Sequence, residues 1–77
     1  MADDMEIRLE VYLPFRGRRL WRGEERVPAR TTAAGLLAHL NLQEPELSVL
    51  VGGRSVAPET LLRSGDAVAI LRHAEGG

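Results

Sequence analysis

The residues best suited to chemistry are the last two, Gly76 and Gly77, which follow an apolar run near the end of the chain. Glycine has no Cβ, so two in succession can enter a narrow catalytic pocket in an extended conformation. The terminal carboxylate is then the least hindered acyl group that a polypeptide can offer. The alternative is a frayed end without a role, because chain termini are usually poorly ordered.

Few other side chains are arranged for catalysis. The chain has no cysteine, which excludes disulfides, a cysteine-based zinc site and a cysteine persulfide. His39 and His73 have no carboxylate or cysteine at a catalytic spacing, so neither is predicted to act as a base or to bind a metal. All ten basic residues are arginine, so no lysine amine on this chain can accept an isopeptide bond.

Length and charge place the chain among small globular domains. Its 77 residues are enough for one domain with a thin core. The formal net charge of -1 does not favour nucleic acid or an anionic membrane as a partner. No apolar stretch approaches the length of a membrane span, and the acidic start does not resemble a signal peptide. We therefore expect a cytoplasmic protein that binds no membrane.

The first half of the sheet is predicted by alternation. In residues 7–13 the apolar side chains fall on one face, which is typical of a half-buried strand: Ile7, Leu9, Val11 and Leu13. A second strand is expected within residues 19–27, with an unclear register. Leu20 and Trp21 are adjacent and cannot both face the core of a regular strand, so Gly23 is interpreted as the site of a bulge.

A short helix should separate the two halves of the sheet. Thr32 is a predicted N-cap, and an apolar stripe continues from Ala33 to Leu40. Asn41 is suited to a left-handed position just after the helix, and Leu42 to folding back onto it. A helix of this length is stable only when it packs on a sheet.

The second half of the chain predicts three more strands. Leu47–Val51 is followed by Gly52-Gly53, a two-residue hairpin signal, and by a short return strand that starts at Arg54. Either Leu61 or Leu62 should enter the core. Ala67–Leu71 is the last strand.

These elements predict an α+β fold. One helix would pack across one face of a mixed sheet of four to five strands, with the first and last strands as parallel neighbours at its centre. Residues 1–72 would form this domain, and residues 73–77 a flexible C-terminal tail ending in Gly-Gly.

Three segments resemble the ubiquitin-like β-grasp sulfur carriers of the ThiS and MoaD kind. They are Val27-Pro28 with Thr32 and Leu36-Leu37, the strand and hairpin 49–54, and the turn and final strand 62–71. The resemblance covers residues 7–77. The chain departs from the family pattern at Gly35, in the arginine-rich loop 14–24, and in residues 72–75, which lack the double proline common in MoaD.

The resemblance implies a carrier that is a substrate of other enzymes and not an enzyme itself. An E1-like adenylyltransferase would use ATP and Mg²⁺ to adenylate Gly77, with Gly76 helping the tail to thread into its pocket. A sulfur donor of the cysteine desulfurase or rhodanese type would then form a thiocarboxylate. A downstream synthase would use that sulfur for thiazole, molybdopterin or tRNA thiolation, with a slight preference for thiazole because of the Gly-Gly-Arg hairpin and the tail without proline.

Partner enzymes would need a docking face. The outward side chains of the predicted strands supply a small apolar patch, and Arg72 could orient the tail: Tyr12, Leu50, Ala69, Leu71 and Arg72. The alternative is scattered apolar surface residues and a solvated arginine, which are normal.

Two other functions stay open. The chain could be a ubiquitin-like modifier conjugated to the lysines of other proteins through Gly77. It could also be a noncovalent interaction module for protein or RNA, because four arginines surround Trp21 in the loop, at positions 16, 18, 19 and 22.

Overall fold

The computed structural model of the protein describes residues 3–42 and 44–72. Five strands and one helix follow one another as β1 (Asp4–Tyr12), β2 (Trp21–Pro28), α1 (Ala33–His39), β3 (Leu47–Val51), β4 (Arg54–Ser55) and β5 (Ala67–Arg72). The strands form one sheet in the order β2-β1-β5-β3-β4. β1 and β5 are parallel, and every other neighbouring pair is antiparallel. The predicted α+β fold, with its parallel central pair, is confirmed.

The core lies between α1 and one face of the sheet, here called the inner face. Alternate residues of the strands supply this face, and it is covered by Ala33 and Leu36 of the helix and by Leu40 directly after it. Leu36 and Ile70 are fully buried. Among the described residues no polar or charged residue is buried, so the core is held by apolar packing alone. The opposite face is called the outer face.

The first strand begins three residues earlier than predicted and keeps the predicted alternation. Ile7, Leu9 and Val11 are buried from β1, and Leu13 is buried just after it. The pattern in the sequence was sufficient here because one face of the strand is entirely apolar.

The bulge predicted at Gly23 is wrong. β1 and β2 pair without interruption from Asp4 opposite Pro28 to Val11 opposite Trp21. The chain resolves the conflict between Leu20 and Trp21 by leaving Leu20 exposed before the strand begins. Gly23 is instead explained by its neighbour, since an added Cβ would lie 2.8 Å from the indole of Trp21.

The helix is capped at both ends as predicted, although it ends at His39, one residue early. The Gly35 amide donates to Thr32 Oγ1 at 3.0 Å. Asn41 has a φ of 61°, and the Leu42 amide returns to the Leu37 carbonyl at 2.8 Å. These contacts satisfy backbone groups that a helix of seven residues would otherwise leave open.

The second half of the chain follows its turn signals. Gly52 and Gly53 both have positive φ, 59° and 84°, which a hairpin turn of two residues requires. Of the two leucines that could enter the core, Leu62 is buried and Leu61 is exposed.

Candidate functional site

The predicted reactive residues, Gly76 and Gly77, lie outside the described residues, as does the predicted tail 73–77. The structure does describe the strand that precedes them. β5 pairs with β1 on one side and with β3 on the other, and it ends at Arg72. β5 is held on both sides as far as Leu71, and Arg72 is paired with Leu47 of β3, so the strand is anchored up to the residue from which the tail continues.

Arg72 is held by an ion pair with the loop before β3. Its Nη2 and Nε lie 2.6 and 3.2 Å from Oε1 of Glu44. Both side chains are about half exposed, so the pair contributes at most about 1 kcal/mol to stability. In the register Arg72 lies opposite Leu47, which places it on the alternate face from Leu71. Four of the five predicted docking residues therefore share a face, and Arg72 does not.

Those four residues form two neighbouring rows across the outer face. Tyr12 lies beside Leu71 in the register, and Ala69 lies beside Leu50. Tyr12 is 44% exposed, while the other three are half-buried. The structure thus brings Tyr12, Leu50, Ala69 and Leu71 together as a contiguous patch, which we call the apolar patch. Its role in binding stays a prediction.

Tyr12 is fixed by polar neighbours at the edge of the apolar patch. Its hydroxyl donates to Oε1 of Glu10, and Nε of Arg22 lies 3.4 Å from the other oxygen of that carboxylate. The hydrogen bond to Glu10 raises the pKa of the Tyr12 phenol above its ordinary value, with smaller contributions from desolvation and from the charge of Glu10. The phenol is therefore neutral at physiological pH and acts as a hydrogen-bond donor.

The other half of the outer face, on β1 and β2, is a ladder of charged residues. Opposite charges face each other in three rows, with Glu6 beside Arg26, Arg8 beside Glu24, and Glu10 beside Arg22. The first and third rows form ion pairs at 4.0 and 3.4 Å. Sequence reasoning missed this ladder because the pairs depend on the register of β2, which the sequence left open.

One arginine of the arginine-rich loop, Arg16, packs against the rest of the fold. The Arg16 guanidinium lies 4.7 Å from the Phe15 ring centre and 5.0 Å from that of Trp21, and it pairs with Glu25 at 3.1 Å. His39 of α1 lies 3.6 Å from the same carboxylate. Arg16 and Trp21 are thus occupied by contacts within the protein, whereas Arg18 and Arg19 are exposed.

Within residues 3–42 and 44–72, no three His, Cys, Asp or Glu side chains are grouped so that they could hold a metal ion. In the same part of the chain, no helix is long and apolar enough to cross a membrane.

Comparisons with known proteins agree with this architecture. Among protein-family models, that of the ThiS family matches residues 15–77. Among solved structures, the chain is similar to the small archaeal modifier protein 1 of H. volcanii, with a TM-score of 0.64 and 15% sequence identity, over 91% of this chain and 99% of that one. At that identity the likeness shows a common ubiquitin-like fold. No curated protein matches the chain.

Proposed function

The chain belongs to the ThiS family, and from that premise we propose that it is a sulfur carrier whose Gly77 carboxylate is activated and converted to a thiocarboxylate. The observation that carries the proposal is the extent of the family match, which runs through the whole second half of the fold and on through the terminal Gly76-Gly77 pair. A match limited to the globular body would support the fold without the chemistry.

The first step is adenylation. An oxygen of the Gly77 carboxylate attacks the α-phosphorus of ATP, and pyrophosphate leaves, with Mg²⁺ held by an E1-like partner that also binds the nucleotide. A carboxylate is a poor electrophile, and the adenylate supplies the leaving group that it lacks. The absence of a side chain at both glycines leaves the acyl carbon open to approach.

In the second step a sulfur donor of the persulfide type transfers sulfur to the acyl carbon, and AMP leaves. Reduction of the resulting acyl disulfide by a thiol releases the thiocarboxylate. The carrier contributes no catalytic side chain in this scheme, which fits a chain without cysteine. A downstream synthase then takes the sulfur, and of the candidate pathways we favour thiazole synthesis.

The globular body acts as a handle for these enzymes. We assign docking to the apolar patch, because it lies on β1, β3 and β5, and β5 is the strand that carries the tail. Residues 73–77 span at most about 18 Å when extended, at about 3.3–3.6 Å per residue. A tail of that reach enters a pocket only if the enzyme also contacts the body close to Arg72, which the Glu44 ion pair holds in place.

A second candidate function is conjugation to other proteins through Gly77. The similarity to a solved structure named as a modifier favours it. Both functions share the adenylation step and differ in the nucleophile, which is sulfur in one case and a lysine amine of a target in the other.

Intact-mass spectrometry of the protein purified from its own host tests the proposal. We expect a fraction in which one oxygen at the terminus is replaced by sulfur. Deletion of Gly77 should abolish ATP–pyrophosphate exchange by the E1-like enzyme of that host and leave the thermal transition unchanged. Exchange retained without Gly77 would contradict the mechanism, and high-mass conjugates in place of the thiocarboxylate would favour the modifier.

A further inference from the structure

The outer face contains a trough at the centre of the sheet. The outward side chains near the start of β5 are alanines, whereas β1 beside them carries an arginine and a glutamate. Strand centres usually carry β-branched or aromatic residues, so two alanines leave a space that longer side chains would fill. The resulting cavity has a volume of about 260 Å³ and is lined by Arg8, Glu10, Gly53, Ala67, Val68 and Ala69.

One wall of the trough carries Arg8, whose charge has no partner within the described part of the chain. In the charged ladder Glu6 and Glu10 pair with arginines of β2, but Arg8 in the middle row does not pair with Glu24 opposite. Among the described residues, the Arg8 side chain makes no ion pair or hydrogen bond. The Glu10 carboxylate on the same wall is already engaged by Tyr12 and Arg22. As far as the described residues go, the trough therefore offers a small apolar floor and the positive charge of Arg8.

The position of the trough relates it to the tail. Ala67 and Arg72 lie five residues apart on β5, which is about 16 Å at about 3.3 Å per residue. One side of a protein interface of standard size covers about 800 Å², which is about 32 Å across if circular. An enzyme that grips the tail beyond Arg72 and rests on the apolar patch thus extends over the trough.

We propose that the trough receives a segment of the E1-like enzyme that inserts an apolar side chain onto Ala67 and Ala69 and places a carboxylate beside Arg8. This inference rests on the proposed function and deepens it. A partner that lacks a carboxylate at the right place leaves Arg8 unpaired, and a side chain that is too large does not fit the trough. Such a site discriminates between partners more than it adds affinity. The trough would thereby determine which activating enzyme accepts this carrier.

Filling the trough is the first test. In Ala67→Leu the added atoms occupy the floor at an exposed strand position, where leucine should not disturb the fold. We expect the KM for the carrier in ATP–pyrophosphate exchange to rise about tenfold, with kcat unchanged, because only docking is affected. The control is Ala38→Leu, the same substitution at an exposed position of α1, which should leave KM unchanged.

Removing the charge is the second test. Arg8→Gln should raise KM about tenfold and reduce its dependence on ionic strength, while Arg8→Lys should restore part of the affinity. Arg26→Gln, on the same face and already paired with Glu6, is the matched control. If Arg8 acted only by holding β2 through Glu24, then Glu24→Gln would have the same effect as Arg8→Gln. We expect Glu24→Gln to leave KM unchanged.

The outcomes separate this inference from the function on which it rests. Normal activation of the wild type, with Ala67→Leu and Arg8→Gln no different from their controls, would overturn the inference alone. Failure of the wild type to be adenylated would overturn the proposed function and the assigned occupant with it. Sedimentation of the isolated wild type should show a monomer, and a dimer that Ala67→Leu disrupts would identify the occupant as a second copy and overturn the inference.

Discussion

The two faces of the sheet are built from the same strands and differ in what their side chains do. On the inner face seven strand residues are at most 6% exposed, and all are aliphatic: Ile7, Leu9, Val11, Val27, Val49, Val68 and Ile70. The outer face is divided into a charged half on β1 and β2 and an apolar half on β5 and β3. Packing in the core explains these seven residues, but it does not require apolar residues on half of the outer face.

This difference separates the residues that the fold requires from those that it does not require. The charged half has an ordinary structural role, because charged residues near the edge strand β2 discourage pairing with another sheet. The apolar half lies at the centre of the sheet, where no exposed edge needs protection. The proposal that Leu50, Ala69 and Leu71 contact another protein gives these positions a reason that the fold does not supply.

Neighbouring residues of β5 provide the sharpest test of this comparison. Ile70 is fully buried on the inner face and Leu71 is half-buried on the outer face. Ile70→Ala should lower the free energy of unfolding by about 2–5 kcal/mol, because it removes packed methylenes and leaves a cavity. Leu71→Ala should lower it by about 1 kcal/mol or less. Chemical denaturation with a fluorescence or circular dichroism readout measures both.

In a docking assay we expect the opposite order, with the larger effect in Leu71→Ala. Leu71→Ala is expected to raise the KM for the carrier in adenylation, while remaining folded at the assay temperature. Equal losses of stability in the two variants would show that the outer position also belongs to the core. An unchanged KM for Leu71→Ala would remove the apolar patch from the interface.

Removal of the helix cap should have a smaller effect on stability and none on the outer face. Thr32→Ala should lower the free energy of unfolding by about 0.5–2 kcal/mol, because the Gly35 amide loses its acceptor. Thr32→Ser retains the hydroxyl and is the control. Adenylation of a folded Thr32→Ala variant should be normal, since the cap is remote from the outer face. A loss of activity without a loss of stability would contradict the separation of the two faces.

The strands that have a continuous apolar pattern could be predicted from sequence. β1 places its apolar residues at alternate positions, and β3 and β5 are short apolar runs next to turn residues, so all three strands are evident without a structure. Turn chemistry was equally informative, because Gly52-Gly53 and Asn41 adopt backbone conformations that most residues avoid. The outer-face grouping of Tyr12 with Leu71 followed once β1 and β5 were placed side by side.

The features that depend on β2 could not be predicted. Its outward residues are charged and its inward residues include Gly23, so no apolar pattern defines its register. Without that register, neither the three charged rows nor the lack of a partner for Arg8 among the described residues can be predicted. The ion pairs Arg16–Glu25 and Arg72–Glu44 join residues 9 and 28 positions apart and have no local signal. The bulge predicted at Gly23 was also wrong, because no pattern in the sequence shows that the Trp21 ring packs against this position and leaves no room for a Cβ.

The smallest expected effect concerns the boundary between the two halves of the outer face, where Tyr12 donates to Glu10. The raised pKa means that the folded protein holds the phenolic proton more tightly than the unfolded chain does. This contribution to stability is complete below the ordinary tyrosine pKa of 10.0 and is lost as the pH rises through the higher folded value. Tyr12 is the sole tyrosine, and the chain has no lysine or cysteine, so near-ultraviolet absorbance follows this one group.

Glu10→Gln should lower the midpoint of that titration, because it removes the carboxylate that favours the protonated phenol and leaves the Arg22 charge unopposed. Glu6→Gln removes a carboxylate of the same strand that is paired with Arg26 instead, and it should leave the midpoint unchanged. If both variants shift the midpoint equally, the cause is the general negative charge of β1. A shift in Glu10→Gln alone would establish that the ladder and the apolar patch are joined by this one hydrogen bond.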